Sequence, residues 1–391
     1  MKISLAQRRA RLGARHCLAA PAATVEEAVG GVVALHATDP ASVYLSAWAR
    51  VRGLSVTDVE RALYEERSLV RLLGMRRTVF VTSVDTAACV QAGCATDIAA
   101  RQRRLLEQHL GTQGHPENVA DPAPWLADVE DSVEKALRGR GIATAQQLVD
   151  DEPRLRQQLH LAKGKPYASI GNVTSRVLFQ LAVDGRIVRG RPRGTWLSTQ
   201  YHWAPSTDWL PAGWPGLAPD AARAELARRW LHAFGPATVA DLRWWSGWNA
   251  GQTKRALSVV APAEVELDGT PGIALPGDLD PVAEPDPWVA LLPALDPTPM
   301  GWSGRDWYLG PHRAALFDRS GNIGPTIWSD GRVVGAWAQR PSGEVVTALL
   351  EDIGTEKTAA VKAEAARLTG WLGESRVVPK FRTPKEKELS S

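Results

Sequence analysis

Three times along the chain one local arrangement recurs: a hydroxyl residue, two further residues, an acid or amide, then an aliphatic. The copies are Ser55-Val56-Thr57-Asp58-Val59, Thr144-Ala145-Gln146-Gln147-Leu148 and Thr238-Val239-Ala240-Asp241-Leu242. Each can form a capping box, in which the hydroxyl accepts the third helical N–H and the later side chain reaches back to the capping residue's own N–H. Each therefore opens a helix. Beyond each box comes more helical pattern and then a short β-rich pair, over residues 69–81, 185–197 and 265–275, the last with Asp268-Gly269 as a hairpin turn. Helix, turn, helix and hairpin repeated three times predicts an α+β fold of tandem winged helices. The third copy is the plainest, with a first helix over 240–245, Ser246-Gly247 as the turn, and a second helix over 249–259 carrying Lys254 and Arg255.

At 391 residues the chain exceeds the size at which one core keeps growing. Pro- and Gly-rich joints at 115–124, 205–219 and 276–287 divide it into expected units at 1–115, 116–215 and 216–280 and a tail at 281–391. In the tail the pattern changes to short strands at 289–292, 314–317, 326–328, 332–337 and 344–350, with Asp330-Gly331 as a two-residue turn. One amphipathic helix follows at 355–372, and 380–391 reads as a polar, frayed end. This predicts a C-terminal β-rich, barrel-like domain.

The class of the chain follows from what it lacks. Its 44% hydrophobic and 23% charged residues are those of an ordinary globular protein. No apolar run nears the roughly twenty residues that span a bilayer. Arg11, Arg15 and His16 interrupt any secretory core, leaving a basic amphipathic first helix, and Cys17, Cys89 and Cys94 complete neither a disulfide framework nor a zinc site. A cytoplasmic protein with reduced thiols and no membrane partner is expected. There is no phosphate loop, dinucleotide fingerprint, metal-binding helix or nucleophile elbow, so neither cofactor nor metal is expected.

A net charge of +3 permits nucleic acid without demanding it, so the placing of the arginines decides. The second hairpin carries Arg186, Arg189, Arg191 and Arg193, guanidinium forks suited to phosphates and the minor groove. The competing reading is a solvated edge hairpin that uses charge to prevent strand pairing. Arg76 and Arg77 form a second basic point on the first hairpin, and Arg101, Arg103 and Arg104 a third on a helix. Sixteen tryptophans are unusual beside five Phe and five Tyr. Trp230, Trp244, Trp245 and Trp337 sit in apolar patterns and read as core, whereas Trp196 stands in the arginine hairpin, where it could stack on a base or pack inward.

One stretch gathers groups that hold or move a proton. Residues 31–40 read as the end of a buried helix that delivers His36, Thr38 and Asp39 before Pro40. Asp39-Pro40 also reads as a plain helix start, with Asp39 as N-cap and Pro40 in the first helical position.

Residues 32–40, the three winged-helix-like units and the β-rich tail together resemble the AlkZ/YcaQ-like family of winged-helix DNA glycosylases. Members carry a polar, aliphatic, polar triplet at a helix end in the first unit, and His36-Ala37-Thr38 occupies that place. The resemblance implies a C-shaped body around double-stranded DNA. It also implies a monofunctional glycosylase, acting as a monomer without an obligate protein partner, that releases bulky N7-alkylguanine adducts in repair or in self-resistance to a DNA-alkylating natural product. His36 and Thr38 would hold the water, with Asp39 as base or cation stabiliser. Thr38 departs from the family pattern, because a hydroxyl can hold a water but cannot usefully take its proton. Two alternatives remain open at this point: a non-catalytic winged-helix regulator, and a small-molecule binder whose wings are only structural.

Overall fold

The computed structural model describes residues 1–111, 118–161 and 168–391. All three capping boxes form. Ser55 caps the helix Val56–Glu60, Thr144 the helix Ala145–Asp151 and Thr238 the helix Val239–Ser246, each with its reciprocal side chain in place. Each is followed by a two-stranded antiparallel hairpin: Leu69–Gly74 with Thr78–Ser83, Ile187–Pro192 with Tyr201–Pro205, and Ala263–Leu267 with Thr270–Ala274. The third helix-turn-helix turns at Gly247, whose φ of 76° suits glycine, and resumes at Ala250–Val260 under the Asn249 cap. Asp268 and Gly269 both take positive φ, as a tight hairpin turn requires. The expected joint at 115–124 falls partly on 112–117 and so lies partly outside the described residues.

Residues 31–36 are not the end of a helix. The helix Val25–Gly30 stops first, Val33 turns with φ 64°, and Leu35–His36 forms a short strand on the edge of the first hairpin, with His36 opposite Phe80. Two features override the apolar helical pattern. The Thr78–Ser83 strand has an open edge that this segment satisfies, and Thr82 Oγ1 donates to Val33 O at 2.6 Å in the interior. Gly31 lies so close to the first helix that a Cβ there would stand 2.6 Å from Arg15 O.

The tail is α+β but does not close as a barrel. Its sheet has four antiparallel strands in sequence order, Val289–Leu292, Thr326–Ser329, Arg332–Gln339 and Val345–Leu349. Four strands are too few to curl round a filled interior, and the helix Thr355–Leu372 packs on the sheet instead. The strand expected at 314–317 is the short helix Arg313–Leu316. Ala314 and Ala315 favour a helix, and no alternation ties them to a sheet face. The polar end does not fray: Pro384–Ser390 is helical, it packs on the strand Arg332–Gln339, and Thr383 and Glu386 are buried.

Among the described residues two large cores result, beside two small clusters. Leu126, Val133, Leu148, Val177 and Ile187 belong to a core built mainly from the second repeat and joined by Leu106 and Leu110, whereas the first repeat, the third and the tail, with Val188, Trp196 and Ala204 of the second hairpin, share one larger core. Trp230, Trp302 and Trp328 fill the latter. At its centre the fully buried Arg50 guanidinium donates to both carboxylate oxygens of Asp296 at 2.8 Å. The same guanidinium reaches Thr298 Oγ1, which also meets His16 Nδ1 at 2.9 Å. Breaking one partner of such a pair would leave an uncompensated charge in the interior. No described helix is long and apolar enough to cross a membrane.

Candidate functional site

The strand Leu35–His36 and the loop after it carry the three triplet-region residues, in different surroundings. His36 is 8% exposed, with its ring edge-on to Phe80 at 5.5 Å. Burial, and then the nearby Arg76 charge, push its pKa down to about 3, so its imidazole is neutral at physiological pH. Nδ1 accepts a long bond from the Thr38 N–H at 3.4 Å. Thr38 is half-buried and lines a cavity of about 380 Å³. His36 is not among the lining residues of that cavity.

Asp39 is both cap and tether. Its Oδ1 accepts from the Ala41 N–H at 3.2 Å, starting the helix Pro40–Trp48, and its Oδ2 accepts from the Lys380 N–H at 2.9 Å, far along the chain. Burial raises its pKa above the usual carboxylate value, and the two backbone bonds act against that rise. Its charge also reaches the Tyr201 hydroxyl, so its field extends to the cavity wall.

The four arginines of the second hairpin part company. Arg189 and Arg193 line the same cavity as Thr38, and the Arg189 guanidinium lies 5.6 Å from the ring centres of both Tyr201 and Trp203. Arg186 instead turns back to Asp131 at 2.6 Å and to Glu134, and Arg191 to Glu60 and, at 3.3 Å, Glu65. Trp196 is 8% exposed, with its ring 4.9 Å from Tyr44 and 5.7 Å from Trp371, so it packs in the interior.

A second concavity, of about 870 Å³, lies between the first hairpin, the helix Thr96–Leu110 and the third helix-turn-helix. Arg76, Arg77, Arg101 and Arg104 line it together with Asn249 and Gln252. Arg76 and Arg77 both take left-handed backbone, at φ 53° and 61°, at the tip of their hairpin. The Arg76 guanidinium lies 3.9 Å above the ring of Trp244, which is half-buried and packs against the edge of the large core. Arg103 is held by Glu130 at 2.7 Å and Asp184 at 2.9 Å. Arg255 meets Asp220 at 3.0 Å, and Lys254 is exposed without lining the groove.

Two residues near the site went unmarked in the sequence. Arg71 sits in an apolar strand, is 2% exposed, and stacks 4.4 Å from the centre of Tyr201 with its Nε and Nη1 unbonded. An arginine inside the Leu-Val-Arg-Leu-Leu run was the available signal. Lys380 reaches the Thr38 cavity from the tail, and no local signal could have placed it there.

Comparison with known proteins gives three findings. The family profile described as "DNA glycosylase AlkZ-like" matches residues 29–371. An "Interstrand DNA cross-link repair glycosylase" of Streptomyces sahachiroi is 29% identical over 168 residues, which span 41% of this chain and 45% of that relative. Among solved structures, the Streptomyces sahachiroi DNA glycosylase AlkZ matches with a TM-score of 0.72, covering 96% of this chain and 99% of that one. At 22% identity this last likeness speaks to the fold alone.

Proposed function

The chain belongs to the AlkZ-like DNA glycosylase family, and from that premise we propose that it hydrolyses the N-glycosidic bond of bulky N7-alkylguanine adducts in double-stranded DNA. Its role is repair, cross-link repair included, or self-resistance to a DNA-alkylating natural product. It works in the cytoplasm as a monomer. The observation that carries the reading is the cavity beside the triplet, onto which Thr38 opens between Arg189, Arg193 and the aromatic rings of Tyr201 and Trp203.

Alkylation at N7 leaves the purine positively charged, so the C1′–N9 bond can break, with its electron pair passing to the base, without a general acid. What remains is to stabilise a cationic sugar and aim a water at C1′. Thr38 holds that water on the cavity wall. The neutral His36 orients the loop, since its Nδ1 accepts the Thr38 N–H and its Nε2 then carries the proton. Asp39, buried beside the cavity with one lone pair of each oxygen engaged by the backbone, supplies negative field to the sugar, and the proton that the water loses as the C1′–O bond forms passes to solvent.

The test is release of the modified guanine from duplex carrying one defined N7-alkyl adduct, comparing wild type with His36→Ala at matched melting temperature. Release by wild type, reduced about a hundredfold in the variant through misplacement of Thr38, is expected. No release from several adducts, with salt-dependent duplex binding intact, would sink the enzymatic reading in favour of a DNA-binding regulator.

A further inference from the structure

Three cationic side chains from two distant parts of the chain ring the Thr38 cavity: Arg189 and Arg193 of the second hairpin, and Lys380 of the tail. No carboxylate lines it among the described residues, and Gln146, Thr199 and Gln200 add only neutral donors. Several other cations of the second hairpin and the tail are instead answered by acids. Arg186 holds three acids and Arg191 two, and Lys380's own neighbours Arg382 and Lys385 hold Glu386 and Glu388. Lys380 has no ion-pair partner among the described residues, and its one ring contact is Phe381 at 5.9 Å.

Nor is its position accidental. The Lys380 N–H donates to Asp39 Oδ2 at 2.9 Å, and the tail is anchored on both sides of it by buried Val377 and by buried Thr383 and Glu386. The chain thus carries a lysine more than 300 residues in sequence to the loop that bears Thr38 and fixes its backbone there, with the Asp39 charge in its field but no described carboxylate within ion-pair distance of its ammonium.

We infer that this cavity is a phosphodiester-binding site for the lesion-bearing strand, with Lys380, Arg189 and Arg193 as its three cations and Asp39 as the residue that positions Lys380. It rests on the reading of the chain as a DNA glycosylase. A backbone phosphate held here fixes the neighbouring sugar against Thr38, and three cations with no carboxylate on the cavity wall among the described residues favour a phosphate over a neutral base.

The experiment uses the full chain and duplexes containing a tetrahydrofuran abasic analogue, with single methylphosphonate linkages stepped along that strand. In wild type, one or two neutral linkages beside the analogue should weaken binding about tenfold. Lys380→Ala should bind the all-phosphate duplex about five- to tenfold more weakly, with a salt slope shallower by about 0.9. It should also lose the methylphosphonate effect. Lys380→Arg should restore both. Asp39→Asn retains an acceptor for Ala41 but not the second acceptor for Lys380, and should show a partial loss of the same signal at an unchanged melting temperature. An unchanged affinity and slope in Lys380→Ala, or a methylphosphonate effect that persists in it, would overturn the inference. If that happens while wild type still excises the adduct, the phosphate site fails alone. If wild type excises nothing and Lys380→Ala still abolishes a methylphosphonate effect on duplex DNA, the glycosylase reading fails and the phosphate site stands.

Discussion

The first and second hairpins both carry arginines, and the same residue type does different work in each. On the second, Arg186 and Arg191 are held by carboxylates, so only Arg189 and Arg193 face the cavity. On the first, neither Arg76 nor Arg77 has a carboxylate within reach among the described residues, and both line the larger groove. A guanidinium already paired inside the protein displaces no counterion from DNA. The more densely basic hairpin therefore offers no more unpaired guanidinium groups than the other, and charge counted along the sequence overstates it twofold.

The contrast is broken most directly at the first hairpin. The double change Arg76→Ala, Arg77→Ala should weaken duplex binding about a hundredfold at near-physiological salt and flatten the salt slope by nearly two, read by fluorescence anisotropy at several salt concentrations. An unchanged slope would remove the first hairpin from the DNA face. At the second hairpin, Arg189→Ala should cost about tenfold in binding and one phosphate's share of the slope.

The first hairpin also sets a titration. His36 pairs with it in register, and burial, followed by the Arg76 charge, pushes its pKa down to about 3. The unfolded chain, with an ordinary imidazole near 6.5, binds the proton more readily. Stability is therefore full above about pH 6.5 and falls as pH drops towards 3. The excision rate should show no inflection from His36 between pH 6 and 7, and NMR of its ring protons should show no titration in that range. A mid-point near 6.5 would mean that the imidazole is solvated and the loop open.

The smallest effect is expected where the sequence is most basic. Arg191→Ala should change duplex binding by less than about twofold and stability by less than about 1 kcal/mol, because its half-exposed pairs with Glu60 and Glu65 are screened by solvent. A tenfold loss of binding would show that DNA displaces those acids, and the difference between the hairpins would then vanish.

Much of the fold was legible because it rests on bonds between near neighbours. Ser55 with Asp58, Thr144 with Gln147 and Thr238 with Asp241 each close over three residues, and Asp268-Gly269 and Asp330-Gly331 fix their turns by positive φ alone. The helix Thr355–Leu372 likewise follows from its own periodicity and falls where the pattern placed it. The open edge of the first hairpin, which made a strand of Leu35–His36, and the sheet that anchors the C-terminal helix could not be read this way, since each depends on a partner brought in by packing.

The candidate site divides along the same line. The sequence by itself determined that Asp39 caps the next helix, because that relation spans two residues, whereas it read a helix end where the structure puts His36 on a strand. Only the tertiary structure decided that Arg186 and Arg191 are neutralised by acids 52 to 131 residues away, that Trp196 is interior, and that Lys380 is tethered to Asp39 across 341 residues. Local hydrogen-bond geometry is written in short-range pattern, whereas the pairing of a charge is settled by whichever acid the completed fold sets within about 4 Å of it.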